Sequence, residues 1–194
     1  RAAEKIGNGA EECAVHVQGQ EVPAHDPKCT PGLALTYLID ATPGRHTQGG
    51  ELNPPPDWDA IPDYDKYEYS GKAPIYHKLR STMHVVNAAG VCLFGYLSMD
   101  IHSLPDFLSA VTGWDLKLED LDDIGDRIGT MRHAFNLREG HNPLLRNMPG
   151  RLIGEPPLTE GNVKGITVDY KTELREYLEE MDWNTSTAVP SDKR

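Results

Sequence analysis

The residues best suited to chemistry lie in one short stretch, from His84 to Gly95, which holds one of the three cysteines of the chain. Cys92 offers a thiol, Asn87 carries an amide that can both donate and accept hydrogen bonds, and Gly90 allows a backbone φ above zero. A turn that presents bare backbone, an amide and a thiol suits a polar cofactor beside a metal cluster. The alternative is a helix end with a buried free cysteine, because free cysteine is among the most buried residue types.

Two histidines in loops are candidates for proton transfer. His46 follows Arg45 and a Thr-Pro-Gly corner, and His25 precedes Asp26 and a proline in a segment that two prolines keep out of regular helix. Histidine titrates near neutral pH and can therefore accept or release a proton under physiological conditions. A loop histidine by itself is more often inert than catalytic, so the residue type alone does not decide between the two interpretations.

Composition excludes several classes of function. The 194 residues carry a formal net charge of -11 and a pI of about 5.1, which argues against nucleic acid or an anionic membrane surface as a partner. No apolar run approaches the roughly 20 residues that span a bilayer. The three cysteines, Cys13, Cys29 and Cys92, are odd in number and far apart, so we expect no disulfide framework and a cytoplasmic location.

Apolar residues recur at helical spacing in several segments that prolines and glycines separate. The pattern predicts helices over 31–41, 73–89, 103–112, 118–135 and 169–182, and minor β structure over 13–22. Pro- and Gly-rich loops are predicted over 49–71 and 141–168. The predicted fold class is therefore mainly α, an irregular helical domain with long loops and minor β structure near the N-terminus.

The same periodicity predicts which helical side chains face the core. The predicted inward residues are Leu104, Phe107, Leu108 and Val111, then Leu121, Ile124, Ile128, Met131 and Phe135, and finally Leu174, Tyr177, Leu178 and Met181. Gly125 and Gly129 lie four residues apart on one predicted helix, so another backbone could pack closely against it there.

We interpret residues 1–194 as a single helical domain, with a strand and loop segment over 1–30 and a helical body over 31–194. The first residue is Arg1 rather than methionine. We therefore expect the chain to be part of a longer protein.

Several motifs, in this order, resemble the C-terminal part of the tungsten-containing aldehyde:ferredoxin oxidoreductases. They are His16 to Pro27, Pro31 to Tyr37, Thr42 to His46, Asn87 to Cys92, Arg127 to Gly140 and Glu179 to Trp183. Each motif alone is weak, but their common order along the whole chain makes the resemblance specific.

The resemblance implies that this chain is the last helical domain of a longer enzyme. In that family two pterin dithiolenes bind one tungsten beside a [4Fe–4S] cluster, and aldehydes are oxidised to carboxylic acids. Three cluster cysteines would lie upstream, and Cys92 matches the fourth. We therefore expect the isolated chain to be inactive and to hold neither cofactor, with Cys92 a free thiol near the surface.

The resemblance also suggests roles for individual residues. His46 matches the histidine proposed to accept the substrate proton, and His25 falls where relatives line the pocket. The family pattern D-x-x-G-L-C becomes Asn87, Gly90, Val91 and Cys92 here, so asparagine replaces the aspartate that holds a pterin. The implied cofactor-binding residues are Asn87, Val91, Cys92, Leu93, Arg45 and Gln48. Gln48 stands where relatives often carry a basic residue, and Arg45 is the nearest cation.

The expected partners are the upstream domains of the same protein and ferredoxin or another iron–sulfur electron-transfer subunit, with no nucleic acid and no membrane. A homodimer remains open. Two alternatives also remain: a helical interaction domain that keeps only the family fold without cofactors, and a relative of the benzoyl-CoA-reducing branch.

Overall fold

The structure, a computed structural model, describes residues 1–49, 64–100 and 102–192. Helices joined by loops make up most of it, and the only sheet within these residues is a small antiparallel pair near the N-terminus. The mainly α fold class is thus confirmed. The strands are His16–Val17 (β1) and Gln20–Glu21 (β2), with His16 opposite Glu21. The α-helices are Ala2–Ile6 (α1), Gly32–Ile39 (α2), Ala73–Ala88 (α3), Leu93–Tyr96 (α4), Ser103–Thr112 (α5), Asp120–Arg138 (α6), Gly150–Ile153 (α7) and Tyr170–Glu180 (α8).

The five predicted helices correspond to α2, α3, α5, α6 and α8. The predicted loop over 141–168 contains a 3₁₀ turn, Pro143–Leu145, and the short helix α7, which are too short to leave a periodic signal. Most of the predicted loop over 49–71 falls on residues 50–63, which lie outside the described residues.

Helix α2 forms the centre of the larger core. All eight of its residues are buried, as expected for a helix that is apolar on every side. Around it pack residues from α7, α8 and the C-terminal segment, together with Tyr76 from α3. The predicted inward residues of α8 all lie in this core: Leu174, Tyr177, Leu178 and, just beyond its end, Met181.

Helix α3 connects the larger core to a smaller second core. Tyr76, near its start, belongs to the first, whereas Val85 and Val86, near its end, pack with Tyr96, Leu104 and Leu121. One helix therefore fixes the two apolar clusters relative to each other. No helix among the described residues combines the length and hydropathy that crossing a membrane requires.

Helices α3 and α6 approach closely at Gly125. A Cβ added to this residue would lie 2.0 Å from the Ser81 carbonyl oxygen and 2.6 Å from its Cα. At Gly129 the added atom would lie 2.9 Å from Cδ2 of His84. The predicted close packing of a second backbone is confirmed at Gly125, whereas Gly129 makes room for the His84 side chain; both close approaches follow from the missing glycine side chains.

A histidine joins three helices beside this crossing. His77 of α3 contacts Asp126 of α6 through Nε2, at 2.7 Å, and Glu180 of α8 through Nδ1, at 3.0 Å. Burial lowers the pKa of His77, but the hydrogen bonds to the two carboxylates outweigh burial and raise it above 6.5. The imidazolium form is favoured because a cation can donate from both nitrogens at once.

Some predicted inward residues are exposed. Phe107 and Val111 of α5 are 62% and 86% exposed, and Met131 and Phe135 of α6 are 71% and 54% exposed. For these four side chains the prediction is wrong, because each helix packs through a narrower face than its apolar stripe. On α6 the buried face consists of Leu121, Gly125, Asp126, Thr130 and His133.

Replacing Gly125 with alanine should lower the free energy of unfolding by about 1–3 kcal/mol, the usual cost of overpacking. Alanine normally stabilises a helix interior relative to glycine, so the expected sign is opposite to that of helix propensity. Urea unfolding followed by circular dichroism measures the change. Gly129→Ala is the matched variant. It should reduce the free energy of unfolding by less, because its added Cβ meets the His84 side chain rather than backbone atoms. Equal or increased stability of Gly125→Ala would contradict the close crossing.

Candidate functional site

The structure brings the two predicted proton-transfer histidines together. The ring centroids of His25 and His46 lie 4.5 Å apart, with the ring planes tilted by 59°. His25 is exposed and His46 is half-buried. The two residues are far apart in sequence, so their contact is a product of the fold.

Tyr37 holds both histidine loops. Its hydroxyl, at the end of a fully buried side chain, donates to the His25 carbonyl oxygen at 2.8 Å. Its own carbonyl accepts a hydrogen bond from the Gly44 amide at 2.9 Å, two residues before His46. Burial raises the pKa of Tyr37, which keeps the hydroxyl protonated and able to donate. One residue of α2 thus fixes the backbone on both sides of the histidine pair.

The corner that leads to His46 has further supports. The Asp40 carboxylate accepts from the Thr42 amide at 2.8 Å. The Arg146 guanidinium donates to the Leu38 carbonyl and, at 2.8 Å, to that of Asp40. Two carbonyls at the end of α2, those of Leu38 and Asp40, are thereby satisfied, and the corner before His46 is bound to the core.

The electrostatic surroundings of His46 favour its neutral form. Burial lowers its pKa below 6.5, and the nearby charge of His25 lowers it further. At neutral pH the imidazole is therefore uncharged and can accept a proton, as a general base requires.

Asn87 connects the His46 loop to α3. Its amide nitrogen donates to the Met83 carbonyl at 2.7 Å and to the Thr47 carbonyl at 3.2 Å. Both contacts use the nitrogen, so the amide oxygen is the atom of this side chain that could accept a hydrogen bond from a cofactor. An aspartate could make neither contact, because an ionised carboxylate has no donor.

Cys92 is an exposed free thiol that directly precedes α4. The chain reaches it through Gly90, which has the predicted positive φ, at 72°. Hydrogen bonds from the backbone of Gly95, and then of Phe94, lower the pKa of the thiol. An accessible sulfur with backbone donors aimed at it has the properties of a metal-binding thiolate. The alternative of a buried structural cysteine is wrong, whereas the expected surface position is confirmed.

The remaining predicted site residues surround these groups. Val91 and Leu93 are half-buried and pack against the second core. Arg45 is exposed. The pKa of Arg132 is lowered mainly by burial, less by the charge of Arg80, and least by the charge of Arg45. The Gln48 side-chain oxygen is buried and has no hydrogen-bond partner within the described residues.

The structure therefore joins His25 to His46 directly and Asn87 to the loop of His46 through Thr47. Within residues 1–49, 64–100 and 102–192, no cluster of three or more His, Cys, Asp or Glu side chains could hold a metal ion. Sequence reasoning missed Tyr37 as the residue that fixes the pair. The available signal was the single aromatic residue of this buried helix, because a buried tyrosine hydroxyl needs a partner.

Comparison with known proteins places these observations in context. A family model described as aldehyde ferredoxin oxidoreductase, domains 2 & 3, matches residues 1–194. The chain is 32% identical to the tungsten-containing aldehyde ferredoxin oxidoreductase of Pyrococcus abyssi and 30% identical to that of Pyrococcus furiosus. Each alignment covers 100% of this chain and 32% of the relative. The chain thus spans less than half the length of these relatives.

A solved structure also has a similar fold. It is described as the active site complex BamBC of benzoyl coenzyme A reductase in complex with 1,5 dienoyl-CoA. The match has a TM-score of 0.62 and 19% sequence identity, and it covers 99% of this chain and 34% of that chain.

Asn87→Asp should release the loop of His46, because both donors are lost and a carboxylate would repel the two carbonyls. We expect the free energy of local opening of this loop to fall by about 1–2 kcal/mol. This corresponds to roughly 5- to 30-fold faster amide hydrogen exchange in residues 44–49. Mass spectrometry of exchanged peptides measures it. Asn147→Asp, at an exposed asparagine, is the matched control. Unchanged exchange in Asn87→Asp would show that Asn87 does not hold the loop.

Proposed function

We propose a function for this chain, which belongs to the aldehyde ferredoxin oxidoreductase family. It is the C-terminal part of a tungstopterin iron–sulfur enzyme, and that enzyme oxidises aldehydes to carboxylic acids. The observation that carries the proposal is the neutral His46, paired with His25. Its loop is tied to Asn87, five residues before Cys92. Since the chain matches 32% of its relatives' length, the rest of the active site would come from other parts of the protein.

The residues present fit the cofactors that the family implies. Cys92 is exposed, and its lowered pKa favours the thiolate that an iron–sulfur cluster needs. The Asn87 amide oxygen and the backbone of Val91 would be the pterin contacts. Leu93, Gln48 and Arg45 would line the same cofactor site. The chemistry that a bound tungsten centre and [4Fe–4S] cluster would supply is two-electron oxidation followed by one-electron transfer.

The proposed task of the protein is to accept and direct protons. Conversion of an aldehyde and water to a carboxylic acid releases two electrons and two protons. His46 would accept one proton on its neutral imidazole and pass it to His25, which is exposed and 4.5 Å away between ring centroids. The pair would thus lead the proton from a half-buried position to solvent.

The proposed partners are the upstream domains of the same protein and ferredoxin or a similar iron–sulfur acceptor in the cytoplasm. The competing proposal is an interaction domain that has kept the fold without cofactors. Tungsten and iron analysis of the full-length protein separates the two, because the second proposal requires neither metal.

His46→Asn in the full-length protein should lower kcat for aldehyde oxidation by about 10²–10⁴-fold, the range for loss of a general base. Tungsten and iron contents should stay unchanged. His102→Asn, at an exposed histidine, is the control and should turn over normally. Normal turnover of His46→Asn with both metals retained would assign the proton transfer to another residue.

The pH profile of kcat gives a second readout of the same proposal. Because the pKa of His46 is lowered, kcat should stay constant as the pH is reduced through 6.5. It should fall only at more acidic pH, where His46 becomes protonated. His25→Asn removes the neighbouring charge that contributes to lowering the pKa of His46. The fall of kcat on the acidic side of the profile should therefore move to higher pH. An acid limb that does not move would contradict the coupling of the two histidines.

Cys92→Ala should abolish or alter the [4Fe–4S] signal in electron paramagnetic resonance of the full-length protein. Cys13→Ala, at another exposed free cysteine, should leave the signal intact. A normal signal at full iron content in Cys92→Ala would exclude Cys92 as a cluster ligand.

A further inference from the structure

One half-buried guanidinium connects the N-terminal hairpin to the end of α2. Arg146 donates through Nη1 to the carbonyl oxygens of Leu38 and, at 2.8 Å, of Asp40. Its Nε donates to the side-chain oxygen of Gln18 at 2.8 Å. Gln18 lies in the turn between β1 and β2, so a single side chain binds the hairpin to the helix that leads to His46.

The amide of Gln18 has one orientation that fits its two neighbours. Because a guanidinium can only donate, the Gln18 oxygen faces Arg146. The Gln18 nitrogen then donates to Nδ1 of His141, at 2.7 Å. Gln18 adopts a φ of 50°, in the left-handed region that residues other than glycine rarely occupy. Such a conformation persists where the surrounding structure holds it, and the two side-chain contacts of Gln18 contribute to this.

The corner before His46 also contacts the hairpin and α6 directly. A Cβ added to Gly44 would lie 3.1 Å from the carbonyl oxygen of Gln20 and 3.2 Å from its Cγ. Asn136 of α6 donates through Nδ2 to the Ala41 carbonyl at 2.8 Å. The backbone of the corner is therefore enclosed by neighbours on which its shape depends.

The contacts that hold His25 are different. Its carbonyl oxygen accepts from the Tyr37 hydroxyl at 2.8 Å, whereas the Arg146 hydrogen bonds described above end on the hairpin turn and on the end of α2. A change at Arg146 should therefore displace His46 relative to His25 instead of moving both together. The two rings lie 4.5 Å apart between centroids, so a small displacement alters their contact.

We propose that Arg146 is a positioning residue for His46, and that Gln18 orients Arg146 for this task. Arg146 acts through the backbone of the corner. Lysine would be a poor substitute, because its single nitrogen cannot take the places of both Nε and Nη1. The effect of Arg146 on turnover rests on the proposed function of His46, whereas its effect on the corner does not.

Amide hydrogen exchange of the full-length protein, measured by mass spectrometry over residues 41–46, tests the positioning without reference to activity. Arg146→Lys should speed exchange there by about 5- to 30-fold, the effect of losing one or two hydrogen bonds. The hydrogen-bonded amides of Thr42 and Gly44 report it. Arg151→Lys, at an exposed arginine, is the matched control. Unchanged exchange in Arg146→Lys would overturn the proposal.

Two substitutions at the exposed Gln18 separate loss of this hydrogen bond from general destabilisation. Gln18→Glu keeps an oxygen that can accept from Arg146, in a charge-assisted hydrogen bond, and should leave exchange over residues 41–46 unchanged. Gln18→Leu has a similar size but no acceptor, and should speed exchange there. Equal exchange rates in the two variants would overturn the role of Gln18.

Turnover tests whether Arg146 acts through His46. Arg146→Lys should lower kcat by about 10- to 100-fold with tungsten and iron retained, in the range that a small misplacement of a catalytic group can cost. In a His46→Asn background the same substitution should lower kcat no further, because the effects of residues that act as a unit are not additive. A further loss of similar size in that background would overturn the proposal. Normal turnover of His46→Asn alone would instead overturn the proposed function, and the exchange measurements would still decide whether Arg146 positions the corner.

Discussion

The candidate site depends on the burial of one hydroxyl. Tyr37 lies within the apolar core, where an unpaired hydroxyl would cost about 1–3 kcal/mol, and its partner is the His25 carbonyl. The same residue accepts a hydrogen bond from Gly44. Because one loop is bound to the Tyr37 hydroxyl and the other to the Tyr37 main-chain carbonyl, the distance between His25 and His46 follows from the packing of α2. The core is thus the element that sets the geometry of the two titratable groups.

Helix α3 connects the His46 loop to the rest of the structure by a second set of contacts. Helix α3 contributes to both apolar cores and approaches α6 until backbone meets backbone at Gly125. Asn87, near the end of α3, then holds Thr47. The loop of His46 is therefore connected to both cores, through Tyr37 on one side and Asn87 on the other.

Much of this arrangement follows from sequence. Helical spacing located α2, α3, α5, α6 and α8, and a glycine pair indicated the close crossing. Periodicity does not reveal how wide a packed face is, so Met131 and Phe135 were expected inside although they are exposed. The partners of Tyr37 depend on contacts between residues far apart in sequence. No local pattern contains that information.

The bridge between three helices has a consequence for how the protein exchanges protons with its medium. The pKa of His77 is raised in the folded state, so this imidazole binds more protons near neutral pH in the folded chain than in the unfolded chain. At this one site, folding takes up protons from the buffer. The stabilisation is complete below about pH 6.5 and is lost as the pH rises through the raised pKa. The contribution of the His77 bridge to holding α3, α6 and α8 together is therefore greatest below about pH 6.5.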